Sequence, residues 1–166
     1  PPEKDVQWLD QGMVAAYKFI QKFWVLHQKF LEKIKSSDDK TTYNDDIKLK
    51  IMTNQLIEKI DNNLRLFNYN VIIANMHETY NFLIKLVDLN LNRKILVDNY
   101  KKILIIMTPI IPHIMFECLK TLDLDGFQKW PDVDKKMLES KNVKIVVQIN
   151  GKKKDLIDIE KDLNEK

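Results

Sequence analysis

Glycine occurs only 3 times in this chain of 166 residues, and through most of its length apolar residues recur at steps of three and four. At about 100° per residue, such spacing places the apolar side chains on one face of an α-helix. Few glycines are present to interrupt these helices. The sequence therefore predicts a mainly α fold, an antiparallel helical bundle with short connections, followed by a short C-terminal β-hairpin.

The first predicted helix starts after Asp10, a candidate N-cap, and ends before a polar loop at residues 36–44. Phe19, Val25 and Leu26 lie outside its main apolar arc, which predicts that this helix also touches a second element or a partner. The residues predicted to form the arc are Met13, Ala16, Tyr17, Ile20, Phe23, Trp24, His27, Phe30, Leu31 and Ile34.

Four further helices are predicted, over about residues 45–64, from a junction at Phe67-Asn68 to Val87, from about Leu91 to a stop at Pro109, and from Pro112 to Leu122. Proline stops a helix because it lacks an N–H donor and clashes with the preceding turn. The predicted core positions of the second and third helices are Leu49, Met52, Leu56 and Ile60, then Ile72, Ile73, Met76, Tyr80, Leu83 and Leu86.

The pattern changes after Leu122. Residues 123–142, with Gly126 and Trp130-Pro131, are typical of an irregular connector. Residues 143–149 are rich in β-branched side chains, and Asn150-Gly151 favours a two-residue hairpin turn before a return strand at 152–159. We therefore expect a linker at 1–9, a bundle at 10–122, a connector at 123–142, and at 143–166 a hairpin that begins another, truncated domain.

The residue types of catalytic and metal sites are sparse. His27, His77 and His113 lie far apart in sequence without a metal-type partner at i+3 or i+4, and the glycines form no phosphate-binding loop. His27 is interpreted as a packed, hydrogen-bonded core residue, and His113 as a helix-start residue with a capping or packing role. The single cysteine, Cys118, is interpreted as a buried small hydrophobe. Neither catalysis nor a bound cofactor or metal is predicted within this chain.

A single cysteine excludes an internal disulfide, which predicts an intracellular, reducing compartment, with the cytoplasm as the default. The formal charge of +3 permits a polyanionic partner without requiring one. No run reaches the roughly 18 apolar residues of a membrane helix. The chain starts at Pro1 without an initiator methionine, which suggests a piece of a larger protein.

Four lysines form the one arrangement that predicts binding. Lys18, Lys22, Lys29 and Lys33 fall within a wedge of about 60° on the first helix, opposite its predicted apolar arc. Such a row of ammonium groups can follow a phosphate backbone and release counterions. The alternative is an ordinary solvated helix face. A second basic cluster, Lys152 to Lys154, is interpreted either as a binding site or as a guard against edge-strand aggregation.

Several segments, in order, resemble leucyl-tRNA synthetase, a class I aminoacyl-tRNA synthetase. The opening PPEKD and the closing VQINGK at 147–152 are similar to the leucyl family rather than to its valyl and isoleucyl relatives. The other matching segments are GMVAAYKFIQKFW at 12–24, Phe67-Asn68 with Ala74, Met76 and Asn81, TPIIPHI at 108–114, and Trp130-Pro131.

This chain also departs from the family pattern at several positions. Lys18 and Lys22 stand where arginines are common, which keeps the charge but loses the planar fork of the guanidinium. Phe116, Cys118 and Leu119 replace the usual glutamate, leucine and tryptophan, so local packing must differ. Lys154 lies near a common arginine.

The resemblance implies that a full-length enzyme joins leucine to its tRNA with ATP and Mg²⁺, at an active site and with an editing insertion outside this chain. The chain itself would be a noncatalytic, anticodon-binding-type domain that positions tRNA-Leu, working with its own catalytic and C-terminal domains as a monomer away from membranes. The predicted tRNA-binding residues are Lys18, Lys22, Lys29, Lys33, Arg65 and Lys152. The alternative is a free-standing helical protein-interaction module.

Overall fold

Helices dominate the part of the chain that the computed structural model describes, residues 9–126, 128–138, 142–149 and 152–160, which confirms a mainly helical fold. Two compact units are present, Pro1–Val133 and Asp134–Lys166. The first contains the helices α1 (Asp10–Ser36), α2 (Asn44–Arg65), α3 (Tyr69–Val87), α4 (Arg93–Met107) and α5 (Pro112–Lys120). The second contains a 3₁₀ turn (Lys135–Met137) and the strands β1 (Asn142–Ile149) and β2 (Lys152–Glu160).

The helix ends lie close to their predicted positions. Asn92 caps α4 by accepting a hydrogen bond from the Ile95 N–H at 3.2 Å, so α4 begins slightly later than predicted. Asn68 holds the N-cap position of α3, although its side chain makes no capping bond. Asp10 was predicted to cap α1, which is wrong: Leu9 holds that position and Asp10 lies in the first turn, where its negative charge suits the helix dipole.

One end of the bundle is joined by hydrogen bonds between loops. The Arg93 N–H donates to the Asp38 carbonyl at 2.8 Å. The buried Asp46 carboxylate accepts from the Tyr43 N–H at 2.7 Å and from the Asn92 N–H at 2.9 Å. These bonds bring the end of α1 together with the starts of α2 and α4, so α1 runs toward this end and α2 and α4 run away from it.

The core lies around α3 and α4, each of which packs against both α1 and α2. In α1 only Phe23, Leu26, His27 and Phe30 are buried. The predicted apolar arc is therefore wrong in its first half and in its rotation: Leu26, expected outside the arc, is 3% exposed. The predicted arc members Met13, Tyr17, Ile20 and Trp24 are 36% exposed or more. Residue spacing shows that a helix has an apolar face, but not where a neighbouring helix covers it.

In α3, too, residue spacing did not predict every buried position. Ile73, predicted as a core residue, is 47% exposed. Asn75 and Thr79 are buried instead. The Thr79 hydroxyl donates a hydrogen bond to the Asn75 backbone carbonyl, one turn earlier, at 2.8 Å. A hydroxyl with such a local partner, as in Thr79, can enter a core at little cost.

A hydrogen-bonded chain of side chains runs through the core from α4 to the residue after α5. The Thr121 hydroxyl donates to the Cys118 carbonyl at 2.7 Å, so its oxygen accepts from His27 Nε2 at 2.8 Å. His27 Nδ1 then accepts from the Tyr100 hydroxyl at 2.9 Å. This confirms His27 as a packed, hydrogen-bonded core residue. Burial lowers the pKa of His27 to about 4.

Cys118 is fully buried, as predicted from its apolar neighbourhood. Burial raises the pKa of its thiol to about 12. The thiolate required for reaction or metal binding is therefore suppressed at neutral pH, and Cys118 behaves as a small hydrophobe.

The two strands of the second unit pair antiparallel, with Val143 opposite Ile159 and a register shift between Val147 and Gln148. An extra residue in one strand of such a pair is a β-bulge, which increases the local twist. The predicted turn at Asn150-Gly151 lies outside the described residues, as do residues 1–8 and 161–166 of the predicted linker and C-terminal domain.

The pKa of His27 makes the stability of the fold depend on pH in a defined window. Above the ordinary value of 6.5 the imidazole is neutral in both states, so its contribution is fully present. As the pH falls toward about 4, the unfolded chain binds a proton that the folded chain excludes, and the free energy of unfolding decreases. Urea unfolding across this window should show a smaller decrease for His27→Gln than for the wild type. Identical pH dependence in the two proteins would contradict this account.

Candidate nucleic-acid interface

The structure places all four predicted lysines of the first helix on α1. Lys18, Lys22 and Lys29 are exposed, whereas Lys33 is half-buried. At about 1.5 Å per residue, the row from Lys18 to Lys33 extends along roughly 22 Å of helix. We call these four residues the lysine stripe. Its length suits contact with several phosphates of one nucleic-acid strand rather than with a single anion.

The sequence predicted that the lysine stripe lies opposite the apolar face of α1. In the structure it borders the buried face instead. At about 100° per residue, the four buried residues of α1 are centred about 100° around the helix from the stripe. The difference arises because the buried face is turned toward Leu26 and away from Trp24. The stripe therefore lies beside the junction of α1 with a neighbouring helix.

That neighbour is α3, and a groove of about 330 Å³ lies between the two helices. Lys22 and Lys29 stand at this groove, which is lined from α1 also by Gln21, Val25 and Leu26 and from α3 by Tyr80, Ile84, Val87 and Asp88. Val25 is 56% exposed and Ile84 is 43% exposed, so the groove has an open apolar floor. Basic side chains and exposed apolar surface thus occur side by side.

In the part of the chain that the structure describes, no carboxylate forms an ion pair with a stripe lysine. The ion pairs among the described residues involve Lys48, Arg65, Arg93, Lys102 and Lys129, and none includes a stripe lysine. An ammonium group without a carboxylate partner keeps its full electrostatic attraction for a phosphate. The stripe is therefore available to a polyanion without breaking an internal contact.

The two secondary candidates lie on elements other than α1. Arg65 lies in the last turn of α2 and pairs with Asp61 at 2.9 Å. Lys152 is the first residue of β2, in the second compact unit, and its backbone pairs with Ile149. For Lys152 only the backbone is described, so its side chain adds nothing to the geometry of the site.

A second surface lies where α1 and α3 begin and where α4 meets α5. A cavity of about 450 Å³ joins these places, lined by Gly12, Ala15, Ala16, Phe19 and Ile20, by Ile73, Met76 and His77, and by Ile110 and Ile111. Ten large apolar side chains on and around these elements are exposed: Leu9, Met13, Val14, Tyr17, Ile20, Leu66, Phe67, Tyr69, Val71 and Ile73. We call this surface the apolar end. Contiguous apolar patches of this kind mark interfaces with another protein or domain.

At the corner between α2 and α3, Phe67 adopts a left-handed backbone conformation with φ of 55°. Residues other than glycine rarely adopt this backbone conformation, which costs on the order of 1 kcal/mol. The ring of Phe67 packs edge-on against Tyr69, with centroids 6.1 Å apart, and both rings are exposed. The corner therefore presents aromatic surface outward rather than into the core.

Within the described ranges, no group of three or more histidine, cysteine, aspartate or glutamate side chains could hold a metal ion. Searched over those same residues, no helix is both long and apolar enough to cross a membrane.

Comparison with known proteins identifies the family of this chain. Residues 46–166 match the family described as the anticodon-binding domain of tRNA ligase. The chain belongs to this family. It is 36% identical over 177 residues to the leucine–tRNA ligase of Fusobacterium nucleatum, and 31% identical over 179 residues to that of Petrotoga mobilis. These alignments cover 98% and 99% of the chain but only about a fifth of each relative.

The fold is also similar to a solved structure, a LeuRS from Agrobacterium radiobacter K84 in a ternary complex with tRNA and LeuAMS. The TM-score is 0.76 at 21% identity, and the match covers 96% of this chain and 22% of that one. The arrangement of helices is therefore that of a segment within a larger ligase.

The groove residues contributed by α3 were not identified from the sequence. Tyr80 was interpreted as a core residue, whereas Ile84 and Asp88 were not singled out. Ile84 falls outside the buried face of α3, which is a weak signal because single exposed apolar residues are common. On the α1 side, the sequence had singled out Val25 and Leu26 as lying outside the apolar arc and Lys22 and Lys29 as binding residues, and all four line the groove.

The exposure of the stripe predicts how its residues affect stability. Replacing Lys18, Lys22 or Lys29 singly by alanine should change the free energy of unfolding by less than about 0.5 kcal/mol, since no internal contact is lost. Leu26→Ala, on the same helix but in the core, should cost about 2–5 kcal/mol. Urea unfolding of the four variants measures both effects. A loss of more than about 1 kcal/mol for an exposed lysine would show that it has a structural role.

Proposed function

We propose that this chain is the noncatalytic tRNA-binding segment of a leucine–tRNA ligase, which positions tRNA-Leu for ATP-dependent aminoacylation elsewhere in the enzyme. The observation that carries the proposal is the lysine stripe, which forms no ion pair among the described residues. It lies on α1, the helix that precedes the residues 46–166 matched to the anticodon-binding family. Leucine is supported as the amino acid by relatives that align with almost the whole chain and are leucine–tRNA ligases.

In this proposal Lys18, Lys22 and Lys29 contact the tRNA backbone directly, because they are exposed. Lys33 contributes less, since it is half-buried. Arg65 can join only by exchanging Asp61 for a phosphate. Lys152 is a secondary candidate from the second unit. Phosphate contacts position the RNA but do not specify its sequence, so this set fixes where the tRNA lies rather than which tRNA binds.

In this proposal, ATP and Mg²⁺ are not assigned to residues of this chain. Both would bind to a catalytic domain outside this chain. The proposed partner of the apolar end is that catalytic domain, since burying such a patch between domains removes it from water.

We propose the domain boundaries given by the sequence: a linker at 1–9, the bundle at 10–122, a connector at 123–142, and at 143–166 a hairpin that opens a C-terminal domain. The antiparallel pairing of β1 and β2 supports a hairpin, and two strands alone are only marginally stable. We further propose that the whole enzyme is a monomer in the cytoplasm.

The alternative function is a helical protein-interaction module, which the apolar end favours. Such a module would bind through apolar surface, and its affinity for nucleic acid would be weak and unrelated to the stripe. Salt dependence separates the two functions, because phosphate contacts release counterions and this release becomes less favourable as the salt concentration rises.

The test is tRNA-Leu binding across a salt series for the chain and for a variant with all four stripe lysines replaced by alanine. Each phosphate contact contributes about one unit to the slope of log affinity against log salt. The quadruple variant should therefore lose about three units, fewer than four because Lys33 is half-buried.

The matched control is Lys35→Ala, an exposed lysine of the same helix that lies outside the stripe. This variant should leave the slope nearly unchanged. Equal slopes for the wild type and the quadruple variant would reject the stripe as the RNA contact and leave the interaction module as the better function.

A further inference from the structure

The groove between α1 and α3 has a chemistry that a phosphate backbone alone does not use. Its lysines, Lys22 and Lys29, are about 10 Å apart along the helix axis at 1.5 Å per residue. Val25 and Ile84 line the same groove, and their side chains are 56% and 43% exposed. Phosphates would satisfy the ammonium groups but would leave this apolar floor in water.

The size of the groove limits what could fill it. About 330 Å³ lies at the lower end of the roughly 300–1,000 Å³ found for small-molecule sites, so the groove suits a group the size of one nucleotide. A paired base is covered by its neighbours in the stack and cannot enter such a groove. Unpaired bases in RNA loops and bulges can be turned outward and packed on protein side chains.

Asp88 lies at the groove from α3, and its carboxylate is exposed. A carboxylate repels phosphate, yet it accepts hydrogen bonds from the amino and imino groups of bases. The lysines lie on α1 and the carboxylate lies at the C-terminal end of α3. A nucleotide in the groove would therefore have its phosphate on the α1 side and the polar edge of its base toward the end of α3.

We propose that this groove receives one unpaired nucleotide of the bound RNA, an inference that rests on the proposed function. The base packs on Val25, Tyr80 and Ile84, its phosphate lies between Lys22 and Lys29, and Asp88 accepts from the hydrogen-bonding edge of the base. Guanine suits Asp88 best, because its adjacent imino and amino groups both donate to one carboxylate.

The first test places a carboxylate on the groove floor. Ile84→Glu should weaken tRNA-Leu binding by about tenfold or more, as expected for losing one base contact and repelling its phosphate. Ile47→Glu is the matched control, since Ile47 is 53% exposed on α2, away from the groove, and adds the same charge. Ile84→Ala, which cannot repel phosphate, should show a smaller loss. Equal affinities for the Ile84→Glu and Ile47→Glu variants would overturn the inference.

The second test identifies the occupant. A photo-crosslinking amino acid at Val25 should attach to a single nucleotide of tRNA-Leu that is unpaired in the tRNA. Attachment to a paired nucleotide, or to a protein segment in the full-length ligase, would overturn the inference. Asp88→Asn should change which base is preferred at that nucleotide, because the amide donates as well as accepts.

The two levels of the proposal fail differently. If Lys18→Ala, at a lysine outside the groove, reduces the salt slope while Ile84→Glu has no specific effect, the stripe binds RNA and the groove does not. If instead neither Ile84→Glu nor the quadruple lysine variant changes binding or its salt slope, the proposed function itself fails.

Discussion

The buried imidazole of His27 fixes how α1 is rotated against the rest of the bundle. Its two ring nitrogens bond to Tyr100 on α4 and to Thr121 just after α5. On one side the ring stacks against Tyr100, which in turn stacks on Phe30. Rotating α1 would leave buried polar groups without partners, at about 1–3 kcal/mol each. The direction in which every other side chain of α1 points follows from this constraint.

The rotation of α1 explains why its charges and its apolar residues occupy separate surfaces. With His27 held inward, Lys22 and Lys29 border the junction with α3, where the groove has a floor of Val25 and Ile84. The first turns of the same helix extend past the core and contribute to the apolar end. In the proposed function, α1 contacts the tRNA backbone along its middle and another domain at its start. The overall charge of only +3 matters little, because the lysines are concentrated on one line.

Much of the fold could be predicted because local rules decide it. Pro109 ends a helix, Asn68 marks a helix start, and the embedding of His27 and Cys118 among apolar residues indicated burial. Predictions that depend on neighbours were less accurate. Periodicity alone does not show that no described helix covers the first half of the α1 arc. Nor does it show that Leu26 is buried whereas Ile73 is exposed. Which residues face Lys22 and Lys29 across the groove was inaccessible to sequence reasoning, because Tyr80 and Asp88 lie more than 50 positions beyond them.

Methyl NMR of the isoleucine, leucine and valine side chains during titration with tRNA-Leu tests most directly where the chain holds RNA. The methyl groups of Val25 and Ile84 at the groove should shift most. Those of Ile47 on α2 and of Ile73 and Ile110 at the apolar end should change little. Shifts confined to Ile73 and Ile110, or no shifts at all, would show that α1 does not carry RNA and would contradict the central claim.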